Sequence, residues 1–302
     1  MTLPRFAGVF APIVTPFRDD DTVDEAGLRR NVARWLDTPL TGLVVLGSNG
    51  EAVQLEDSEA DRVIAAVRDV VPRGRPLIAG VGRESTKATI AAARRAAAAG
   101  VDAVIVRTPS FFRPQMTTDV FVRHYLEVAE ASPVPILLYN VTLFTGVNLL
   151  PAAVERLAPH PNIVGMKESG SDIAQIAEFC AVRSNEFVVL AGSATTLVHA
   201  FAAGCDGAIV ALAGLLPDEV VRLWTLVREN RLDEARALQQ ELLPLAKSVG
   251  SGYGVPGLKA ALEMMGFAAG PPRPPLRPAT PEMIDTIRLQ LQARPSVHLL
   301  HN

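Results

Sequence analysis

The stretch Asn162-Ile163-Val164-Gly165-Met166-Lys167-Glu168-Ser169 sets the reading of the whole chain. An apolar run with strand character carries a single amine near its end. A run that is apolar without alternation is the pattern of a parallel strand covered on both faces. The amine is unusual in this chain, which has four lysines (Lys87, Lys167, Lys247, Lys259) against twenty-five arginines. The other three fall in segments that read as helix or polar loop. A lysine at the end of a buried strand is costly unless its amine is paired with a carboxylate, snorkels to solvent, or is used for chemistry. Burial favours the neutral form of an amine, and the neutral form attacks carbonyl carbon.

Working outward from this run, seven more of the same kind appear, over Val9–Val14, Leu43–Leu46, Leu77–Val81, Ala103–Arg107, Ile136–Tyr139, Val188–Ala191 and Ala208–Ala211. With Ile163–Met166 they make eight predicted strands. Between them the spacing of apolar residues predicts helices over Glu25–Leu36, Ser58–Val71, Thr86–Ala99, Asp119–Ala131, Pro151–Leu157, Ile173–Val182, Thr195–Ala203 and Asp218–Glu229, several opening on cap-like pairs such as Asp57-Ser58 and Thr117-Thr118. Eight strand–helix units in this length predict an α/β fold, a (β/α)8 TIM barrel, which needs about 250 residues. A doubly wound sheet would show a glycine-rich turn after its first strand, and here that strand runs into Thr15-Pro16-Phe17. After residue 229 only helices are predicted, over Leu232–Val249, Gly257–Met265 and Pro281–Ala293, the last two joined by the extended connector Pro271-Pro272-Arg273-Pro274-Pro275. The expected organisation is a barrel over 1–229 and a C-terminal helical extension over 230–302.

Bulk composition narrows the function classes. Apolar residues are 49% of the chain and charged ones 20%, enough for a large core. A net charge of −3 without a basic stripe argues against nucleic acid. No secretory leader is visible and no apolar run reaches membrane-span length, so a cytoplasmic location is expected. Cys180 and Cys205 read as buried free thiols of a reducing compartment. Neither they nor the five histidines have metal-ligand spacing, which disfavours a zinc mechanism.

In a barrel, working residues sit at the C-terminal ends of strands. Those positions hold Gly47-Ser48-Asn49-Gly50-Glu51, Arg107 through Arg113, Tyr139-Asn140, Lys167 and Gly192-Ser193. Lys167 and Tyr139 are expected at similar depth on neighbouring strands. A neutral Lys167 can form an iminium with a ketone, and Tyr139 can shuttle the proton. Ser48, Asn49 and the turn amides can hold a carboxylate. Taken one at a time, the Gly47–Gly50 stretch also reads as a tight turn, Tyr139 as a core residue, and Gly192-Ser193 as a helix cap or a phosphate site.

Together these residues resemble the dihydrodipicolinate synthase / N-acetylneuraminate lyase family of Schiff-base pyruvate aldolases over nearly the whole length. The resemblance rests on Pro12-Ile13-Val14-Thr15-Pro16-Phe17, Gly47–Glu51, Tyr139-Asn140-Val141 with Thr145-Gly146, Gly165-Met166-Lys167-Glu168-Ser169 and Gly207-Ala208-Ile209. Within the family, Gly47–Glu51 and His160–Lys167 look most like the 4-hydroxy-2-oxoglutarate aldolase branch. The resemblance implies a homo-oligomer, usually a tetramer, acting on pyruvate or another 2-oxo acid and an aldehyde, without metal or organic cofactor. It implies Lys167 as the Schiff-base lysine, Tyr139 as proton donor and acceptor, Ser48 and Asn49 on the pyruvate carboxylate, and the backbone of Gly192 and Ile209 along the pyruvate pocket.

Departures from the family matter as much. Phe144 stands where the synthases resembled carry an arginine for the second substrate's carboxylate. Thr142 replaces a proline, and Phe111 replaces a tyrosine that neighbouring subunits lend to the proton relay. Losing a polar partner of this kind costs about 1–3 kcal/mol in recognition. The expected function is therefore a metal-independent Schiff-base aldolase or lyase of the 4-hydroxy-2-oxoglutarate type. The alternatives are a dehydratase, hydratase or dihydrodipicolinate synthase using the same iminium, and a non-catalytic barrel that binds a 2-oxo acid. Phe111, Phe112, Leu143 and Phe144 suggest apolar surface in the distal pocket.

Overall fold

A computed structural model describes residues 6–294 together with 297 and 299. The outer ends of the two expected segments, residues 1–5 and 295, 296, 298 and 300–302, lie outside the described residues. Eight strands form: β1 Gly8–Pro12, β2 Gly42–Val45, β3 Leu77–Gly80, β4 Ala103–Arg107, β5 Ile136–Asn140, β6 Ile163–Glu168, β7 Val188–Ala191 and β8 Gly207–Ile209. They pair in parallel in chain order, and β8 returns to β1, so the sheet closes into the expected (β/α)8 barrel. The helices are α1 Glu25–Leu36, α2 Asp57–Arg68, α3 Thr86–Ala98, α4 Thr118–Ala131, α5 Thr142–Thr145, α6 Pro151–Leu157, α7 Ile173–Ala181, α8 Leu197–Ala203, α9 Pro217–Arg228, α10 Leu232–Lys247, α11 Gly254–Met264 and α12 Pro281–Gln292.

Two cores account for the continuous apolar runs. Phe10, Val44, Ile78, Ile105, Leu137, Leu190 and Ile209 fill the barrel interior. Their strand neighbours Leu43, Leu77, Val104, Leu138 and Val189 point outward and pack with Val63, Ala93, Phe121, Leu157 and Phe179 of the surrounding helices. Successive side chains face opposite sides of a strand, so a strand with apolar cover on both sides has no polar alternation.

Some boundaries differ from the sequence reading. β6 continues through Lys167 and Glu168, because Tyr139 and Asn140 on one side and Leu190 and Ala191 on the other still offer ladder partners there. β8 stops at Ile209, and Ala211–Gly214 winds into a 3₁₀ turn. At α2 the cap position is Glu56 rather than Asp57, and the Glu56 amide donates to the Glu59 carboxylate at 3.0 Å. The one-turn helix α5 is too short to carry a periodic signal. No helix is long and apolar enough to cross a membrane among the described residues.

The helices after residue 229 pack back onto the barrel. α10 lies against α8 and α9, and α11 against α12. The Ala268 amide donates to Asn31 of α1 at 2.9 Å. Lys259, read from the sequence as part of an ordinary helix, is almost fully buried and pairs with Glu51 at 2.6 Å. Both cysteines are free; Cys205 is buried but Cys180 is half-buried, because α7 lies on the outer ring of the barrel.

Candidate active site

A bulge in β6 decides where Lys167 points. Ile136 of β5 pairs with Ile163, but the next residue, Leu137, pairs with Gly165, so Val164 is an extra residue in β6. Ile163 and Met166 belong to the outer core, whereas Leu137, Tyr139 and Val164 belong to the inner one. Strict alternation from Ile163 would turn Lys167 outward into the helices. The inserted residue reverses the parity and puts Lys167 beside Tyr139 inside the barrel mouth. Gly165 makes the bulge possible: its φ of 158° and a Cβ that would fall 2.5 Å from the Val188 carbonyl both exclude a larger residue.

Lys167 forms no ion pair among the described residues. Its amine donates to the Tyr139 hydroxyl at 3.3 Å and lies 4.3 Å from the centre of that ring. The Tyr139 hydroxyl in turn lies 3.2 Å from Ser48 Oγ. Tyr139 and Lys167 sit on the adjacent strands β5 and β6, and the phenol links the amine to Ser48 in the turn after β2. Burial by itself would raise the Tyr139 phenol, but the Lys167 charge and the hydrogen bonds from Ser48 and Lys167 outweigh it and hold the phenol below its ordinary value. That is the direction a proton relay needs, since it brings the phenolate closer to the working range.

The Ser48 turn is strained at both ends. Leu46 (φ 56°) and Glu51 (φ 54°) both adopt left-handed backbone, which costs of order 1–3 kcal/mol each and persists only where surroundings enforce it. Gly80 supplies part of that enforcement, because a Cβ there would fall 1.9 Å from the Leu46 carbonyl. Thr15 Oγ1 donates to the Gly50 carbonyl at 2.7 Å and pins the centre of the turn. Glu51 is anchored by Lys259 and by the Arg273 amide at 2.8 Å, so the C-terminal segment holds the far end.

The remaining expected residues are placed unevenly. Gly192 lies against the lysine: a Cβ there would come within 2.1 Å of Ser169 Oγ and 2.9 Å of Lys167 Cε. Asn49 Nδ2 reaches the Pro12 carbonyl at 3.4 Å. Its side chain is thus engaged with β1 rather than with the lysine. Ile209 is fully buried at the end of β8 and fills the barrel interior. Glu168, next to the lysine in sequence, points the other way. Its carboxylate accepts from Asn140 Nδ2 at 2.7 Å, and burial pushes it above its ordinary value.

Several residues in the site escaped sequence reading. Ser169 Oγ is buried beside Gly192 and Lys167 and is one of the groups that hold the Tyr139 phenol below its ordinary value. Position after the lysine could have flagged it, but a serine following a strand is usually a turn residue. Beside Tyr139 and Ser48, a cavity of about 770 Å3 opens between the β2, β3, β4 and β5 loops and the C-terminal segment. Ser48, Tyr139, Arg107, Glu84, Phe144 and Tyr253 are among its walls. Tyr253 arrives from the connection between α10 and α11, which no local pattern places near the barrel mouth. Among the described residues no group of three His, Cys, Asp or Glu side chains is placed to hold a metal ion.

A lysine amine in hydrogen-bond contact with a phenol at the mouth of a parallel barrel can be compared with known proteins. The model of the dihydrodipicolinate synthetase family matches residues 5–294. This chain belongs to the dihydrodipicolinate synthetase family. The 4-hydroxy-tetrahydrodipicolinate synthase of Methanothrix thermoacetophila is 36% identical over 278 residues, 92% of this chain and 93% of that one. That of Xanthomonas axonopodis pv. citri is 38% identical over 264 residues, 87% of each chain. Among solved structures, the dihydrodipicolinate synthase of Thermotoga maritima superposes with a TM-score of 0.90 at 31% identity, covering 95% of this chain and 98% of that one. A monomeric dihydrodipicolinate synthase variant superposes with a TM-score of 0.90 at 30% identity, covering 96% and 97%. The homologues are named as synthases, and the chain is an enzyme of the lyase class. The narrower likeness to 4-hydroxy-2-oxoglutarate aldolases finds no support in these relatives. It draws on Gly47–Glu51 and His160–Lys167, the turn and strand that hold Ser48 and the lysine.

Proposed function

We propose that this member of the dihydrodipicolinate synthetase family is a Schiff-base lyase that joins or separates pyruvate and an aldehyde. Once it has given up its proton, the Lys167 amine adds to the ketone of pyruvate, the carbinolamine loses water, and the resulting iminium withdraws electrons from the neighbouring carbon. Loss of a proton there gives an enamine that attacks the aldehyde; the reverse sequence cleaves the aldol. The 3.3 Å contact between Lys167 and Tyr139 carries this reading. Tyr139 moves the proton, and Ser48, with Asn49 beside it and the backbone near Gly192 and Ile209, holds the pyruvate end. The test is incubation with pyruvate and borohydride followed by peptide mass analysis. One reduced adduct on the Lys167 peptide is expected, and none in Lys167→Arg.

For the aldehyde half, the first reading is aldol cleavage of a 4-hydroxy-2-oxo acid, supported by Phe144, which cannot pair with an anion at its position. A second reading, formation of 4-hydroxy-tetrahydrodipicolinate, is favoured by the shared name of the relatives. Product analysis separates them: cleavage liberates pyruvate, whereas synthesis consumes it. Loss of water alone, with no carbon–carbon bond broken, would identify a dehydratase. Self-association completes the proposal, supported by Phe111, Phe112, Leu143 and Phe144, four large exposed apolar side chains of which Leu143 and Phe144 line the cavity. Their exposure is unusual for a free surface.

A further inference from the structure

We propose that Arg107 selects the second substrate, and that the aldehyde partner carries a carboxylate which Arg107 binds; this rests on the lysine–pyruvate reading above. The ladder puts Arg107 of β4 opposite Tyr139, and Tyr139 opposite Lys167. Parallel neighbours lie about 4.8 Å apart and point the same way, so the three residues stand side by side at one level of the barrel mouth. Arg107, Tyr139 and Ser48 line the same cavity. The carbon bonded to the pyruvate-derived enamine therefore grows from Lys167 across Tyr139 toward Arg107.

The fold makes room for this side chain and orients it. A Cβ on Gly82 would lie 2.6 Å from Arg107 Cγ, so only glycine at 82 lets the arginine pass. Glu84 accepts from Arg107 Nη1 at 2.7 Å, and its other oxygen accepts from the Ser110 and Phe111 amides at 2.8 and 2.9 Å. One carboxylate charge is thus shared among a guanidinium and two amides. Nη1 also donates to the Thr108 carbonyl at 3.2 Å, while Nε and Nη2 of Arg107 have no partner among the described residues. That open edge is the fork which binds a carboxylate through two parallel hydrogen bonds. The other guanidinium of the cavity, Arg83, is committed at both ends, with Nη1 on the Gly82 carbonyl and Nη2 on Asp57 at 2.9 Å. Glu51, the remaining carboxylate of the cavity wall, is neutralised by Lys259. Val141, Leu143 and Phe144 add apolar wall to the cavity, and Ser110 and Thr145 add uncharged polar groups. An aldehyde with an anionic end fits this combination.

The experiment measures carbon–carbon bond formation from pyruvate with glyoxylate and, separately, with acetaldehyde, in the full chain and in Arg107→Met and Arg107→Lys. Each protein is also treated with pyruvate and borohydride. The expected result is a fall in the glyoxylate-to-acetaldehyde ratio of kcat/KM by roughly 10- to 100-fold in Arg107→Met, the effect of losing hydrogen bonds to a charged group. Arg107→Lys should fall between the two, since it keeps the charge and loses the fork. The Lys167 adduct with pyruvate should still form in both. An unchanged ratio with the adduct present overturns the proposal alone and makes Arg107 a brace for the β4 loop. Absence of the adduct in the unaltered chain overturns the lysine reading and this proposal with it. If Arg107→Met does not fold, Arg107→Lys decides: a ratio equal to that of the unaltered chain overturns the proposal.

Discussion

Replacing Lys259 by methionine tests whether the C-terminal helices hold the Ser48 turn through a buried charge pair. Lys259 and Glu51 are 1% and 2% exposed, and Nζ and Oε1 are 2.6 Å apart. The contact is a close ion pair between two groups shut off from water. The amine also donates to the Pro271 carbonyl at 2.9 Å and lies 4.4 Å from the Phe17 ring centre. Methionine retains the unbranched apolar stem, so packing changes little and the charge alone disappears. Among the described residues Glu51 is then left buried with the Arg273 amide as its side-chain partner, and an uncompensated buried charge costs about 3–5 kcal/mol. For a domain of this size that corresponds to roughly 5–10 °C in the unfolding midpoint. Urea titration and thermal scanning at matched protein concentration measure both quantities. The double variant Lys259→Met/Glu51→Gln removes both charges and should be more stable than the single one. A single-variant shift below about 2 °C would refute the reasoning, because it would put the cost near or below 1 kcal/mol. So would a double variant less stable than Lys259→Met, since the second change would then remove a favourable group instead of a stranded charge.

Two further outcomes are expected. Gly192→Ala places a methyl group 2.9 Å from Lys167 Cε and 2.1 Å from Ser169 Oγ, so the borohydride-trapped adduct should fall at least tenfold while the circular dichroism spectrum is kept; an adduct at the usual yield would show that the lysine has room to move. Burial lowers the His124 imidazole from 6.5 to about 4 against the opposing charges of Glu127 and Glu84. Between those values the unfolded chain binds the proton and the folded one does not, so stability falls as pH drops from 6.5 to 4, by roughly 3 kcal/mol from this group. Replacing His124 by glutamine should flatten that slope in urea titrations at pH 7 and 4.5, and an equal slope would count against it.

How much the sequence shows depends on the kind of residue. Lys167 could be singled out because an amine inside an apolar strand is rare enough to be noticed. Tyr139 and Ser48 followed from the rule that barrel chemistry sits at strand ends. Lys259 was missed because helical spacing says which face is apolar but not what a charged side chain meets across 200 residues of chain. Arg107 is marked by its place at a strand end, but its partner Glu84 is not, and only the pairing of β3 with β4 brings Gly82, Glu84 and Arg107 together. Tyr253 belongs to the same group, since it reaches the cavity only through contacts between distant segments.

The order of apolar runs and helical stretches determined the (β/α)8 barrel by itself, because each run of that length must be covered on both faces and eight of them close. The same order put the chemistry-bearing residues at one end of the barrel. What the sequence did not determine is the side to which Lys167 points. Ile163 to Met166 is apolar on every residue, so the extra residue at Val164 leaves no trace in the pattern. Only pairing with β5 and the close approach of Gly165 to β7 fix the bulge, and the bulge turns the amine into the barrel.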